Sequence, residues 1–166
     1  PGGEFVEGDN GTYRVLVEAG QVFDTAGGSV KPGEIGSFDI NVNGQRPTAT
    51  FTEANVTAPS STHQFTITYH DADGTIDLAS LGHDDILVTS SGYAQFAMLV
   101  GTPQVQDGGS TVVATYRINA PGGLWSPDDN GVYRVNVAGD VTDNNGNPAD
   151  DSLIGLFRVK VAPGDF

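Results

Sequence analysis

Two short stretches of the chain concentrate oxygen ligands. In "HDADGTID", residues 70–77, Asp71, Asp73 and Asp77 are spaced around Gly74. Carboxylates at alternate positions can turn toward one hard cation such as Ca²⁺, and a glycine permits the sharp bend that such a loop needs. Asp84 and Asp85 in "GHDDI" lie close behind. The spacing is not that of an EF-hand. Counted from Asp71, the glycine falls fourth rather than sixth, and the twelfth residue is Gly82 rather than glutamate. The second stretch, "DVTDNNGNPADD" at 140–151, offers Asp140, Asp143 and Asn145 beside Gly146 as a second Ca²⁺ site. The plainer reading of both is a solvated turn whose Asp and Asn side chains bond their own backbone. Crowded carboxylates repel one another, and a divalent ion would relieve that repulsion.

Other residue types carry less. His70 and His83 flank the first acidic stretch, and His63 completes the histidines. Without a metal-binding helix pattern or any Cys, a transition-metal site has little support. Ser90, His83 and Asp84 contain the residue types of a hydrolytic triad, but no nucleophile-elbow motif surrounds the serine. The expectation is therefore a non-enzyme. Trp125, the one tryptophan, could stack on a sugar if exposed, or fill a packing position if buried.

The charge narrows the partners. Twenty-one acids against seven Lys and Arg give a formal charge of −14 over 166 residues. Such a surface repels nucleic acid and anionic membranes. No apolar run is long enough for a membrane-spanning helix. Cysteine is absent, which excludes disulfides. The sequence opens "PGGEF" without Met, which reads as a fragment or a processed product.

The positioning elements are strands. "HQFTITY" sets Phe65, Ile67 and Tyr69 on one face. "TVVATYRIN" does the same with Val112, Ala114, Tyr116 and Ile118. "VYRVNV" aligns Tyr133, Val135 and Val137, and "LFRVKV" aligns Phe157, Val159 and Val161. "TATFTEANVT", "DILVTS" and "YAQFAMLV" add three more. This alternation predicts about seven strands over residues 47–162, with no sustained helical period. Frequent Gly, Asp and Asn turns between short strands indicate an all-β sandwich.

Part of this pattern occurs twice. "DNGTYRVLV" at 9–17 matches "DNGVYRVNV" at 129–137 in seven of nine positions, 120 residues apart. "PGGEF" answers "PGGLW", "VFDTAGGSV" answers "VTDNNGNPA", and "IGSFDINV" answers "IGLFRVKV". A period this long means tandem domains rather than a solenoid. Residues 1–44 are thus expected to be the C-terminal half, the last two strands, of one domain. Residues 45–166 are expected to be a complete domain. A lone two-stranded ribbon is marginal in water. Residues 1–43 are therefore also a candidate strand-exchange element, giving a homo-oligomer.

Asp-x-Gly-x-Tyr ahead of an alternating strand fits the tyrosine corner of immunoglobulin-like sandwiches. Asp129 and Tyr133 fit it, and Asp9 and Tyr13 repeat it. Residues 45–162 resemble the bacterial Ig-like repeats of large secreted and cell-surface proteins, including S-layer-type proteins. The stretches that carry the likeness are 65–89, 114–137 and 141–161. The resemblance implies an Ig-like β-sandwich preceded by the C-terminal half of a second copy. It implies an extracellular or cell-surface spacer in a tandem array, with neighbouring repeats as partners and often in Ca²⁺-rich surroundings. Adhesion to a glycan or surface ligand is the alternative role for such repeats.

Overall fold

The computed structural model describes residues 5, 9–40, 44–52 and 55–164. These form ten β-strands in three antiparallel sheets, with no α-helix among the described residues. The chain divides into two compact units, Pro1–Gly44 and Gln45–Phe166.

The larger unit holds eight strands: β3 (Thr48–Thr52), β4 (Thr62–His70), β5 (Ile86–Ser90), β6 (Tyr93–Phe96), β7 (Met98–Gln106), β8 (Thr111–Asn119), β9 (Gly131–Val137) and β10 (Ser152–Val159). One sheet has the order β3-β4-β8-β7 and the other β10-β9-β5-β6. The nine-pair β4–β8 ladder runs from Thr62↔Asn119 to His70↔Thr111. Its alternation turns Phe65, Ile67 and Tyr69 of β4, and Val112, Ala114, Tyr116 and Ile118 of β8, into the core. Ile86 and Val88 of β5, Tyr133, Val135 and Val137 of β9, and Phe157 and Val159 of β10 line the same core from the other sheet. Burial of each Val, Ile or Phe side chain among these stabilises the unit by roughly 1.5–3 kcal/mol.

The strand count exceeds expectation by one. "YAQFAMLV" reads as a single strand, but the chain changes sheets at Ala97. β6 pairs with β5, while β7 pairs with β8. Ala97 is fully buried, and its N–H donates to the Ile86 carbonyl at 2.8 Å. Strands switch between packed sheets at bulges or bends, and a two-residue period does not reveal which neighbour each half will pair with. The other crossing follows β3. Val56 makes a parallel bridge to Val159, with its N–H on the Arg158 carbonyl and its carbonyl accepting the Lys160 N–H.

The smaller unit is a ribbon of β1 (Gly11–Val17) and β2 (Gly33–Ile40). It has the register of β9–β10. Tyr13 lies opposite Phe38, as Tyr133 lies opposite Phe157. Both hairpins carry a bulge at the matching place, where Ile35 and Ile154 are passed over. The aromatic pairs stack alike, at 5.6 Å and 12° in the ribbon and 5.0 Å and 17° in the larger unit. The burial differs. Tyr133, Val135 and Phe157 are at most 3% exposed, whereas Tyr13, Val15 and Phe38 are 40–50% exposed.

Candidate functional site

The two acidic stretches meet at one end of the larger unit. The 143–147 turn lies along the segment after Gly74. Asn144 N–H donates to the Thr75 carbonyl at 2.9 Å, Asp77 N–H donates to the Thr142 carbonyl at 2.9 Å, and Ile76 bridges Asp143. What reads in sequence as two sites is one locality.

Within it the carboxylates do different things. Asp77 Oδ1 accepts the Ala79 N–H at 2.9 Å and caps the 3₁₀ turn Leu78–Ser80. Asp143 is buried and takes three donors. Its Oδ1 accepts the Asn145 and Asn147 N–H groups at 2.8 Å each, and its Oδ2 accepts the Asn147 amide at 2.7 Å. This is an Asx turn. Asp24 in the ribbon makes the matching one, with Oδ1 accepting the Ala26 and Gly28 N–H groups. Asp73 Oδ2 accepts the Gln45 N–H at 2.8 Å.

Asp71 is the exception. It is 1% exposed, and its Oδ1 accepts the Asp73 N–H at 3.2 Å, but its Oδ2 is buried without a hydrogen-bond partner. Burial pushes its carboxyl above the ordinary range. The Asp73 N–H opposes that shift, while the Asp73 carboxyl and the Asp143 charge add to it. Asp140 is exposed, and with Arg46 and Asp150 it borders a shallow depression. Asn145 is exposed on the turn.

Asp84 and Asp85 sit in a different environment. Asp84 is exposed, and the charges acting on Asp85 are those of Asp84 and His83. Asp85 is 1% exposed and ends a hydrogen-bonded chain through the core. Its Oδ2 accepts the Tyr116 hydroxyl at 2.6 Å and the Gly82 N–H at 2.8 Å. The Tyr116 hydroxyl lies 3.0 Å from that of Tyr69. Burial pushes both tyrosines far up and raises Asp85 as well, against the lowering effect of its Tyr116 and Gly82 bonds. The available signal was the inward facing of both tyrosines, since a buried hydroxyl needs a partner.

The histidines are occupied elsewhere. His70 Nδ1 lies 3.1 Å from Thr111 Oγ1, His83 Nδ1 accepts the Leu99 N–H at 3.0 Å, and the His63 ring lies tilted at 41° against Phe157, centroids 4.7 Å apart. Ser90 Oγ donates to the Val132 carbonyl at 2.9 Å. Trp125 is fully buried, edge-on to Tyr133 at 5.3 Å. Phe5, its counterpart in the repeat, is 62% exposed.

The corner tyrosines bond as the motif suggests. Tyr133 donates its hydroxyl to the Asp129 carbonyl at 3.1 Å, and Tyr13 donates to the Asp9 carbonyl at 2.9 Å. The Asp129 carboxylate closes a capping box, with Oδ2 accepting the Ser126 N–H and hydroxyl. Compared with known proteins, the chain matches no family model and no curated protein.

Proposed function

We propose that the chain is a non-enzymatic structural module of a tandem-repeat secreted or cell-surface protein. In this reading residues 45–166 are one Ig-like sandwich, and residues 1–44 are the last two strands of another. The strand orders β3-β4-β8-β7 and β10-β9-β5-β6 support it, because they correspond to A-B-E-D and G-F-C-C′ of an Ig-like sandwich. Tyr133, the third residue of β9, which bonds back to Asp129, supports it too.

The observation that carries the reading is the repeated hairpin. The ribbon reproduces the register, bulge, corner bond and aromatic stack of β9–β10 without the burial. Its glycine is equally telling. A β-carbon on Gly155 would stand 2.4 Å from the Phe51 ring, whereas one on the matching Gly36 would meet nothing within 4 Å. The ribbon thus has the form of a half-sandwich, and its open face suits strands equivalent to residues 45–120. Burial of Trp125 weighs against sugar stacking at that residue. The secreted or surface setting rests on the Ig-like resemblance together with the acidity.

The test is a fusion that places a second copy of residues 45–120 ahead of residue 1. The chain itself should bind an apolar dye through the ribbon, and the fusion should lose that binding. Dye binding that persists in a folded fusion would count against the reading.

A second reading is favoured by the same open face: a second chain covers it, giving strand exchange. Light scattering separates the two. A concentration-dependent dimer that disappears when residues 1–44 are removed supports exchange, and a monomer throughout supports the array.

A further inference from the structure

Asp71 follows the last residue of β4, His70, with one carboxylate oxygen buried and unpartnered. A buried carboxylate oxygen without a donor bears a desolvation cost that nothing in the protein offsets. Neither described salt bridge, Arg14–Glu34 or Arg46–Asp150, reaches it.

The surroundings of that oxygen offer further oxygens. The Asp73 carboxylate follows two residues later, on a loop held by the Gln45 N–H. The Asn145 side chain reaches the same spot from the opposing turn. A β-carbon on Gly74 would stand 2.5 Å from Asp71 Oδ2 and 3.6 Å from the Asn145 amide nitrogen. Gly74 therefore keeps open the space between them. The two ends of an Asn amide are interchangeable by rotation, so Asn145 can present its oxygen there. The backbone ladder between residues 75–77 and 142–144 holds the two loops at fixed separation.

We propose that Asp71, Asp73 and Asn145 bind a hard divalent cation, Ca²⁺, where the β4–β5 and β9–β10 loops meet. Among the described residues, no three acidic or histidine side chains form a metal cage. The site accordingly uses two carboxylates and an amide oxygen, with backbone carbonyls and water completing the about six to eight oxygens that Ca²⁺ takes. So few charges set the affinity in the weak range, roughly 10⁻⁴–10⁻³ M, typical of extracellular modules. Mg²⁺ demands a regular octahedron and gives up its water reluctantly, so it fits this loop pair less well. The inference does not depend on the spacer reading, because it concerns residues within one unit.

The test is the melting temperature of the full chain in EDTA, in CaCl₂ and in MgCl₂, for the parent, Asp71→Asn, Asn145→Ala and Asp128→Asn. Asp128 is an exposed acid in another loop. At a hundredfold excess over Kd, Ca²⁺ should raise the Tm of the parent and of Asp128→Asn by roughly 5 °C or more. Asp71→Asn should show no response and should melt no lower than the parent in EDTA, since the amide removes a buried charge. Asn145→Ala, at an exposed turn position, should fold and respond only at higher Ca²⁺, which keeps the test decisive if Asp71→Asn does not fold. An unresponsive parent, or an Asp71→Asn or Asn145→Ala protein that responds like the parent, overturns the site. An equal response to Mg²⁺ overturns its assignment to Ca²⁺.

Discussion

Tyr133 donates its hydroxyl to the carbonyl of Asp129, four residues upstream, at 3.1 Å, and Tyr13 does the same to Asp9 at 2.9 Å. The two bonds are alike, but one tyrosine is 3% exposed and the other 40%. The same local device therefore serves two different packing states.

That difference sets the first prediction. Tyr133→Phe removes a hydrogen bond inside a packed corner and should cost about 1 kcal/mol in urea unfolding. Tyr13→Phe should leave the unfolding midpoint of the larger unit unchanged.

The second prediction concerns the glycines. Gly155→Ala drives a methyl into Phe51, including its β-carbon at 2.9 Å, and should cost about 1–3 kcal/mol. Gly36→Ala meets open space and should be tolerated in the chain alone. A comparison of thermal melts of the two variants checks both.

Much of this was legible in the sequence, and the limits have physical causes. The inward residues of β4 and β8 follow from strict alternation, because both strands are half-buried and fully paired. The sheet change at Ala97 was hidden, since alternation records faces and not partners. Asp71 and Asn145 read as members of separate sites because only the topology brings the two loops together. Asp85 read as a ligand because sequence shows its charge but not its place in the core.

The third prediction rests on the core chain Tyr69–Tyr116–Asp85. Tyr116→Phe keeps the ring and removes the donor, leaving Asp85 Oδ2 with the Gly82 N–H. The loss should be about 1–3 kcal/mol, larger than for Tyr133→Phe, because the group left short of donors is a buried carboxylate. Denaturant unfolding at neutral pH measures it.

The fourth prediction is a pH dependence. Burial raises Asp85 above its ordinary value of 3.8, so the folded state holds this proton more tightly than the unfolded chain. Its effect on stability therefore falls as pH rises from 3.8 through its higher folded value, and below that window the protonated carboxyl carries no penalty. Asp85→Asn should flatten this part of the profile. The difference between variant and parent unfolding free energies, followed across the acid range, isolates it from the other carboxylates.

The central claim is the proposal that the β1–β2 ribbon is the end of a second sandwich, whose apolar face is built to be covered. Residue-level amide exchange at Tyr13, Val15 and Phe38 tests it most directly, in the chain and in the fusion carrying a second copy of residues 45–120 ahead of residue 1. The account predicts fast exchange in the chain and, in the fusion, protection rising to that of Tyr133, Val135 and Phe157. Exchange at those three residues that stays fast in a folded fusion would contradict it.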